Sequence, residues 1–341
     1  MFEKSRIPFK KMMLEGALPS GVKRRLYRRK GFRIAADVEF GPGAIIDADE
    51  VEIGPGASIG PGVVIRGRSI RIGKRVHIGA LSFFEGRDIV IGDDTVLREQ
   101  VFVGGPLFPD SLLEIGKRVR IFQLCFLNPS RPLRIGDETG IGGRSSIFTH
   151  GSWQSVLEGF PVSFEPVTIG RNVWLPWHVF ILPGVEIGDN ATIGGGAVVI
   201  RSVPAGALAA GVPARVRRTA EERAQTLEPD EQWSIARDMG EMFAACLRDQ
   251  GLRLDVVADE SRLELRFDHR GKSKRIVFAR TADDIGDVED VVVQLVGFPE
   301  RGRCRFALLE RRKGGPPDAL ADEFEDFVSR YGVRFAPEDD A

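Results

Sequence analysis

A chain of 341 residues exceeds one average domain, so two or three are expected. Its formal net charge of −1 gives no basis for nucleic-acid binding. Three scattered cysteines, Cys125, Cys246 and Cys304, form neither a disulfide framework nor a thiolate metal site and imply a reduced, cytoplasmic setting. No apolar run is long enough to cross a bilayer, and the first residues lack the apolar stretch of a signal peptide.

Residues 1–30 are strongly basic, with Lys4, Arg6, Lys10, Lys11, Lys23, Arg24, Arg25, Arg28, Arg29 and Lys30 set against Glu3 and Glu15. They read as a helical leader ending near Gly31. Interleaved apolar residues such as Met12, Leu14 and Tyr27 leave two roles open: peripheral contact with the inner membrane surface, or a cap on the open end of the adjoining domain.

Within a domain at 31–218, a six-residue rhythm runs from Ile34 to Val199. Ile53, Ile59 and Ile65 form one triplet, Ile72, Ile78 and Phe84 the next, and Ile91, Leu97 and Val103 the third, with a seven-residue step between triplets. Neither a helix nor an ordinary strand has that period. One inward aliphatic per side of a triangular coil does, with the following Gly at the corner, where it would tolerate a positive φ. Stacked coils give three parallel sheets, and roughly eight coils at about 4.8 Å make a rod of about 40 Å.

The rhythm breaks twice, after Val103 and, over a longer stretch, between Ile147 and Ile169. Loops thrown out of a solenoid are where function concentrates. The longer one opens with His150, held at the junction of a rigid coil and a projecting loop, where an imidazole can take a proton near neutral pH. Taken alone, such a His is as readily a polar surface residue.

Beyond residue 218 the sequence reads as a small α+β domain, 219–341. A linker at 221–228 leads to a helix at 229–250, five strands near 252–257, 263–267, 275–278, 291–295 and 304–309, and a last helix at 317–331. It carries no nucleotide loop and no clustered His or Cys.

The segments Ile169-Gly170-Arg171-Asn172, Leu182-Pro183-Gly184, Ile187-Gly188-Asp189-Asn190, Gly194-Gly195-Gly196 and Gly211-Val212-Pro213-Ala214 resemble the hexapeptide-repeat acyltransferases, in the branch of maltose, galactoside, nodulation-factor and polysaccharide O-acetyltransferases. The resemblance implies a mainly β chain built on a left-handed parallel β-helix, a homotrimer, and active sites in the clefts between prisms. It implies acetyl-CoA as donor, a sugar-containing acceptor, no metal, and His150 as the general base. Trp177, Gly195, Gly196, Ile200, Arg201, Arg215 and Arg218 fall at the family's CoA-contact positions, although Trp177 is bulkier than the small residue common there. The glycine N–H groups would face the pantetheine arm, and the arginines, gathered where the rod ends, would take phosphate. Trp153, Trp174 and His178 are the expected substrate contacts. Two other roles stay open: N-acetylation of a nucleotide-linked amino sugar, and a non-catalytic trimeric scaffold.

Overall fold

The computed structural model describes residues 8–223, 226–269, 272–286, 290–316 and 318–338. Glu3, Lys4, Arg6 and Pro317 lie outside the described residues. The chain divides into two units, Met1–Ala224 and Gln225–Ala341.

The first unit is a parallel β-helix. Inward residues on its first face stack as a column of Ile34, Ile53, Ile72, Ile91, Ile115, Ile135, Ile169 and Ile187, each in register with the next. On the third face the column runs Ile46, Ile65, Phe84, Val103, Leu127, Ile147, Ile181 and Val199. All sixteen are buried, and their continuous removal from water is the main stabilising term of the fold.

The second face is a ten-stranded sheet of its own, whose last strand, Arg215–Arg218, runs antiparallel to Leu208–Ala210. The first and third faces are joined in one fourteen-stranded sheet rather than the two expected. Strands Ile45–Ile53 and Val64–Ile72 carry pairing straight round the corner, because Asp47-Ala48-Asp49-Glu50 and Arg66-Gly67-Arg68-Ser69 contain no turn-forming Gly-Pro pair.

The glycine after each inward aliphatic has a different cause from the expected one. A Cβ at Gly60 would lie 2.8 Å from Ile78 O, and one at Gly92 would lie 2.6 Å from Gly116 C. Close approach of the next coil, not a positive φ, requires glycine there. Left-handed φ falls instead one step further round the corner, on Arg75, Asp94, Arg118, Glu138, Asn172, His178 and Asn190, among others. Asp93, Asp137 and Asp189 bind the preceding coil, accepting from the N–H of Lys74, Lys117 and Arg171 at 2.7, 2.7 and 2.8 Å.

The leader forms helices Phe9–Leu14 and Ser20–Arg29 against the first coil. Lys23 is buried and donates to Gly41 O (2.8 Å), Arg24 to Val38 O (2.7 Å) and Arg28 to Ile34 O (2.6 and 2.8 Å). Ile46 N–H donates to the Tyr27 hydroxyl at 3.0 Å, and burial pushes that phenol's pKa up to about 12. These groups satisfy carbonyls and an amide that a bare coil end would leave open. At the other end, the stretch expected as a linker begins with helix Ala220–Arg223, and Arg223 donates to Gly206 O (2.8 Å) and Thr192 Oγ1 (2.9 Å).

The second unit packs helices Pro229–Asp249 and Ala319–Ser329 on one side of a seven-stranded sheet. Phe324 sits at its centre, 5.4, 5.5 and 5.0 Å from the rings of Phe243, Phe278 and Phe306. Two strands beyond the five expected, Arg312–Gly314 and Ala336–Pro337, complete the sheet. Both are too short and too poor in β-branched residues to announce themselves.

Candidate active site

His150 lies where the third face turns towards the first, on strand His150–Gly151, which pairs antiparallel with Ser163–Phe164. The intervening residues project from the prism, and Trp153 and Leu157 are 98% and 95% exposed. The register of the coils is undisturbed across the insertion, since Ile135 pairs with Ile169 and Ile147 with Ile181.

The imidazole is held on one side by buried polar groups. Asn128 Nδ2 donates to Gly104 O at 2.8 Å, which turns Asn128 Oδ1 towards His150 Nδ1, 2.8 Å away. An amide oxygen only accepts, so Nδ1 carries the hydrogen and Nε2 keeps its lone pair. Ser130 Oγ stands at a longer 3.4 Å from the same nitrogen. The Thr149 hydroxyl donates to Asn128 O (2.7 Å) and accepts from Arg131 N–H (2.9 Å), fixing the turn that carries the His. Partial burial pushes the imidazole pKa below its ordinary 6.5.

The two breaks in the rhythm meet here. Phe164, from the long insertion, stacks on His150 with ring centroids 5.8 Å apart and planes at 14°. Phe108, from the short one, packs on Phe164 at 4.9 Å and is covered by the Arg131 guanidinium at 4.5 Å, which also pairs with Asp110 at 2.7 Å. Gly105 must be glycine because a Cβ would meet Ser130 Oγ at 2.8 Å and Asn128 Cγ at 3.0 Å. Asn128, Phe108 and Phe164 were missed from sequence. The available signal was the offset of Asn128, one residue after inward Leu127, mirrored by Phe148 one residue after Ile147.

The remaining expected residues spread over the prism. Trp177, His178, Gly195 and Gly196 occupy the corner where the second face turns into the third. Trp177 packs on Phe122 at 6.5 Å, and His178 is exposed with a φ of 61° and its N–H bound to Gly143 O. Gly196 N–H already donates to Trp177 O at 3.0 Å, which removes it from the expected donor pair. A Cβ at Gly195 would make only ordinary contacts at 3.6 and 3.7 Å. Ile200 and Arg201 follow the third face, on the same border as His150 but two coils further along. Trp174 lies on the second face, across the prism from His150.

The three arginines are not gathered as expected. The return strand lays Arg215 beside Ala210 and Arg218 beside Leu208, about 10 Å apart along the second face, while Arg201 sits on another border. Among the described residues no group of three or more His, Cys, Asp or Glu is placed to hold a metal.

The family model for the bacterial transferase hexapeptide (six repeats) matches residues 166–201. The chain is 53% identical over 58 residues to the galactoside O-acetyltransferase of Escherichia coli K12, a match covering 17% of this chain and 29% of that one. It is 32% identical over 138 residues to the putative colanic acid biosynthesis acetyltransferase WcaF of the same strain, covering 40% of this chain and 70% of that one. The chain belongs to the bacterial hexapeptide-repeat transferases. Its prism is thus the left-handed coil of that family. The chain spans under a third of the galactoside O-acetyltransferase it matches. Among solved structures, LpxA from Acinetobacter baumannii superposes with a TM-score of 0.46 at 20% identity, over 61% of this chain and 79% of that one.

Proposed function

We propose that this hexapeptide-repeat transferase is an acetyl-CoA-dependent O-acetyltransferase that modifies a sugar hydroxyl in a polysaccharide, glycolipid or glycoside precursor. The observation that carries the proposal is the Asn128–His150 contact at 2.8 Å, which leaves Nε2 unprotonated at the edge of a projecting loop. The names of the relatives support acetyl transfer, and two of them concern sugars.

In this reading Nε2 takes the proton of the acceptor hydroxyl as its oxygen attacks the thioester carbonyl. The C–S bond then breaks, and the leaving thiolate recovers that proton from the imidazolium, so no acyl-enzyme forms. Asn128 Oδ1 steadies the Nδ1–H of the cation that exists between the two transfers. Gly195 offers an unobstructed path for a pantetheine arm, and Arg201 and Arg215 offer guanidinium forks for phosphate.

The distribution of the site supports assembly with further copies of the chain, which this reading takes as a homotrimer. The third face carries outward rings of Phe83, Phe102, Phe126, Phe148 and Phe180, successive centroids 5.1, 5.5, 5.1 and 5.0 Å apart. Its two borders hold separate halves of the expected site, His150 on one and Trp177 with Gly195 on the other. A neighbouring copy set against this face would complete each half with its opposite border.

The test is thiol release from acetyl-CoA with panels of sugars and amino sugars. His150→Ala is expected to lower kcat by about 10²–10⁴-fold while acetyl-CoA still binds. Turnover confined to amino groups would replace O- by N-acetylation, and turnover unchanged by His150→Ala would remove the imidazole from the mechanism.

A further inference from the structure

A cavity of about 320 Å³ opens on the same border of the prism as His150, lined by Asp47, Ala48, Asp49, Arg66, Gly67, Glu85, Gly86 and Leu107. It is built into the ladder. Asp47 is in register with Arg66 and Arg66 with Glu85, and the next pairs, Phe84 with Val103 and Val103 with Leu127, place Gly104 and then Asn128 in the same column. The column therefore reads Asp47, Arg66, Glu85, Gly104, Asn128, and Asn128 is the residue that holds His150. Two coils, about 10 Å, separate Glu85 from Asn128.

The short insertion bridges that gap: its Leu107 lines the cavity, and its neighbour Phe108 packs on Phe164, the ring stacked on His150. Between the two places the column is bare, because Gly104 has no side chain; a Cβ there would already stand 3.1 Å from the Phe102 ring. The floor of the cavity is likewise side-chain-free, at Gly67 and Gly86, while Arg66 lies 3.5 Å from Asp47 and 3.6 Å from Glu85. The lining thus offers carboxylate acceptors on either side of a guanidinium donor, the pattern that grips vicinal hydroxyls. Lys11 Nζ pairs with Asp47 at 2.6 Å, so among the described residues three carboxylates face two cations, and the remaining acidic excess disfavours an anionic group.

We infer that this cavity is a distal acceptor subsite that holds a neutral sugar unit of an oligosaccharide whose reacting hydroxyl lies at His150. The inference rests on the sugar O-acetyltransferase reading and narrows it: the acceptor is a neutral chain of two or more units, since a monosaccharide cannot reach from His150 to Glu85.

Two measurements test it separately. First, binding of glucose, maltose and maltotriose, and of galactose and galactotriose, is titrated calorimetrically into the His150→Ala protein, so that no turnover is needed. In at least one series the trisaccharide is expected to bind about tenfold or more tightly than its monosaccharide, and Glu85→Gln or Asp49→Asn, each checked for folding by circular dichroism, is expected to abolish that advantage. No gain with length in either series, a gain that survives both substitutions, or tighter binding of a uronic-acid oligomer overturns the subsite. Second, kcat/KM for acetyl transfer to the same sugars is measured with the native residue at 150. There Glu85→Gln is expected to bring kcat/KM for the longer acceptor down to that for the monosaccharide. Length-dependent binding without transfer to any sugar would overturn the O-acetyltransferase reading and leave the subsite standing.

Discussion

Asn128 and His150 form a unit in which one residue decides the chemical state of the other. The Gly104 carbonyl fixes the amide, the amide oxygen fixes the tautomer, and partial burial lowers the imidazole pKa below 6.5. A general base must be neutral, so kcat/KM is expected to be fully developed at pH 7 and to fall as pH drops through that lowered pKa. Asn128→Asp places a negative charge on Nδ1–H, favours the imidazolium, and is expected to move the acid limb of the pH–rate profile up by about 1 unit or more. A limb that stays in place would mean that this contact does not govern the titrating group. His150 was legible in the sequence because the rhythm stops beside it. Asn128 was not, since a lone Asn after an inward Leu looks like any polar corner residue until the coils are stacked.

At the scale of the element, one feature reverses a sequence expectation. Thr95, Thr139, Ser82 and Ser145 are buried, in a fold whose inward positions read as aliphatic. Thr139 Oγ1 donates to Gly170 O at 2.8 Å and accepts from Val173 N–H at 3.1 Å; Thr95 does the same with Gly116 and Val119. Each hydroxyl ties its own coil to the next one along. Thr139→Val conserves shape and leaves the buried Val173 N–H and the part-buried Gly170 carbonyl without this partner, so a loss of about 2 kcal/mol is expected in chemical denaturation, with Thr139→Ser close to the native value. The rhythm revealed where the coils stack. It did not reveal these ties, because a β-branched Thr and a Val serve the packing equally well.

At the scale of the molecule, the fold was readable and the site only in part. A strict period leaves few architectures possible, and the columns of Ile and Val confirm the one it points to. The separation of Arg201, Arg215 and Arg218 was not readable, since it depends on the direction taken by a return strand that pairs outside the repeat. Nor does the period say anything about the second unit, whose sheet mixes parallel and antiparallel pairs held by an aromatic cluster around Phe324.

The undisturbed register across the long insertion has a further consequence. Because Ile135 still meets Ile169 and Ile147 still meets Ile181, the scaffold is indifferent to how much chain is spent between them. Replacing residues 152–162 with a short Gly-Ser turn is therefore expected to keep circular dichroism and stability within about 1 kcal/mol of the native protein, since a loop's closure cost changes slowly with length. Loss of Trp153 is expected to weaken acceptor binding about tenfold, the worth of one aromatic contact of about 1.4 kcal/mol, while the KM for acetyl-CoA is unchanged. Collapse of the fold in that variant would show that the loop is a strut. Survival would make it an exchangeable cassette, in which a new acceptor preference can be grafted onto an unchanged proton-transfer centre.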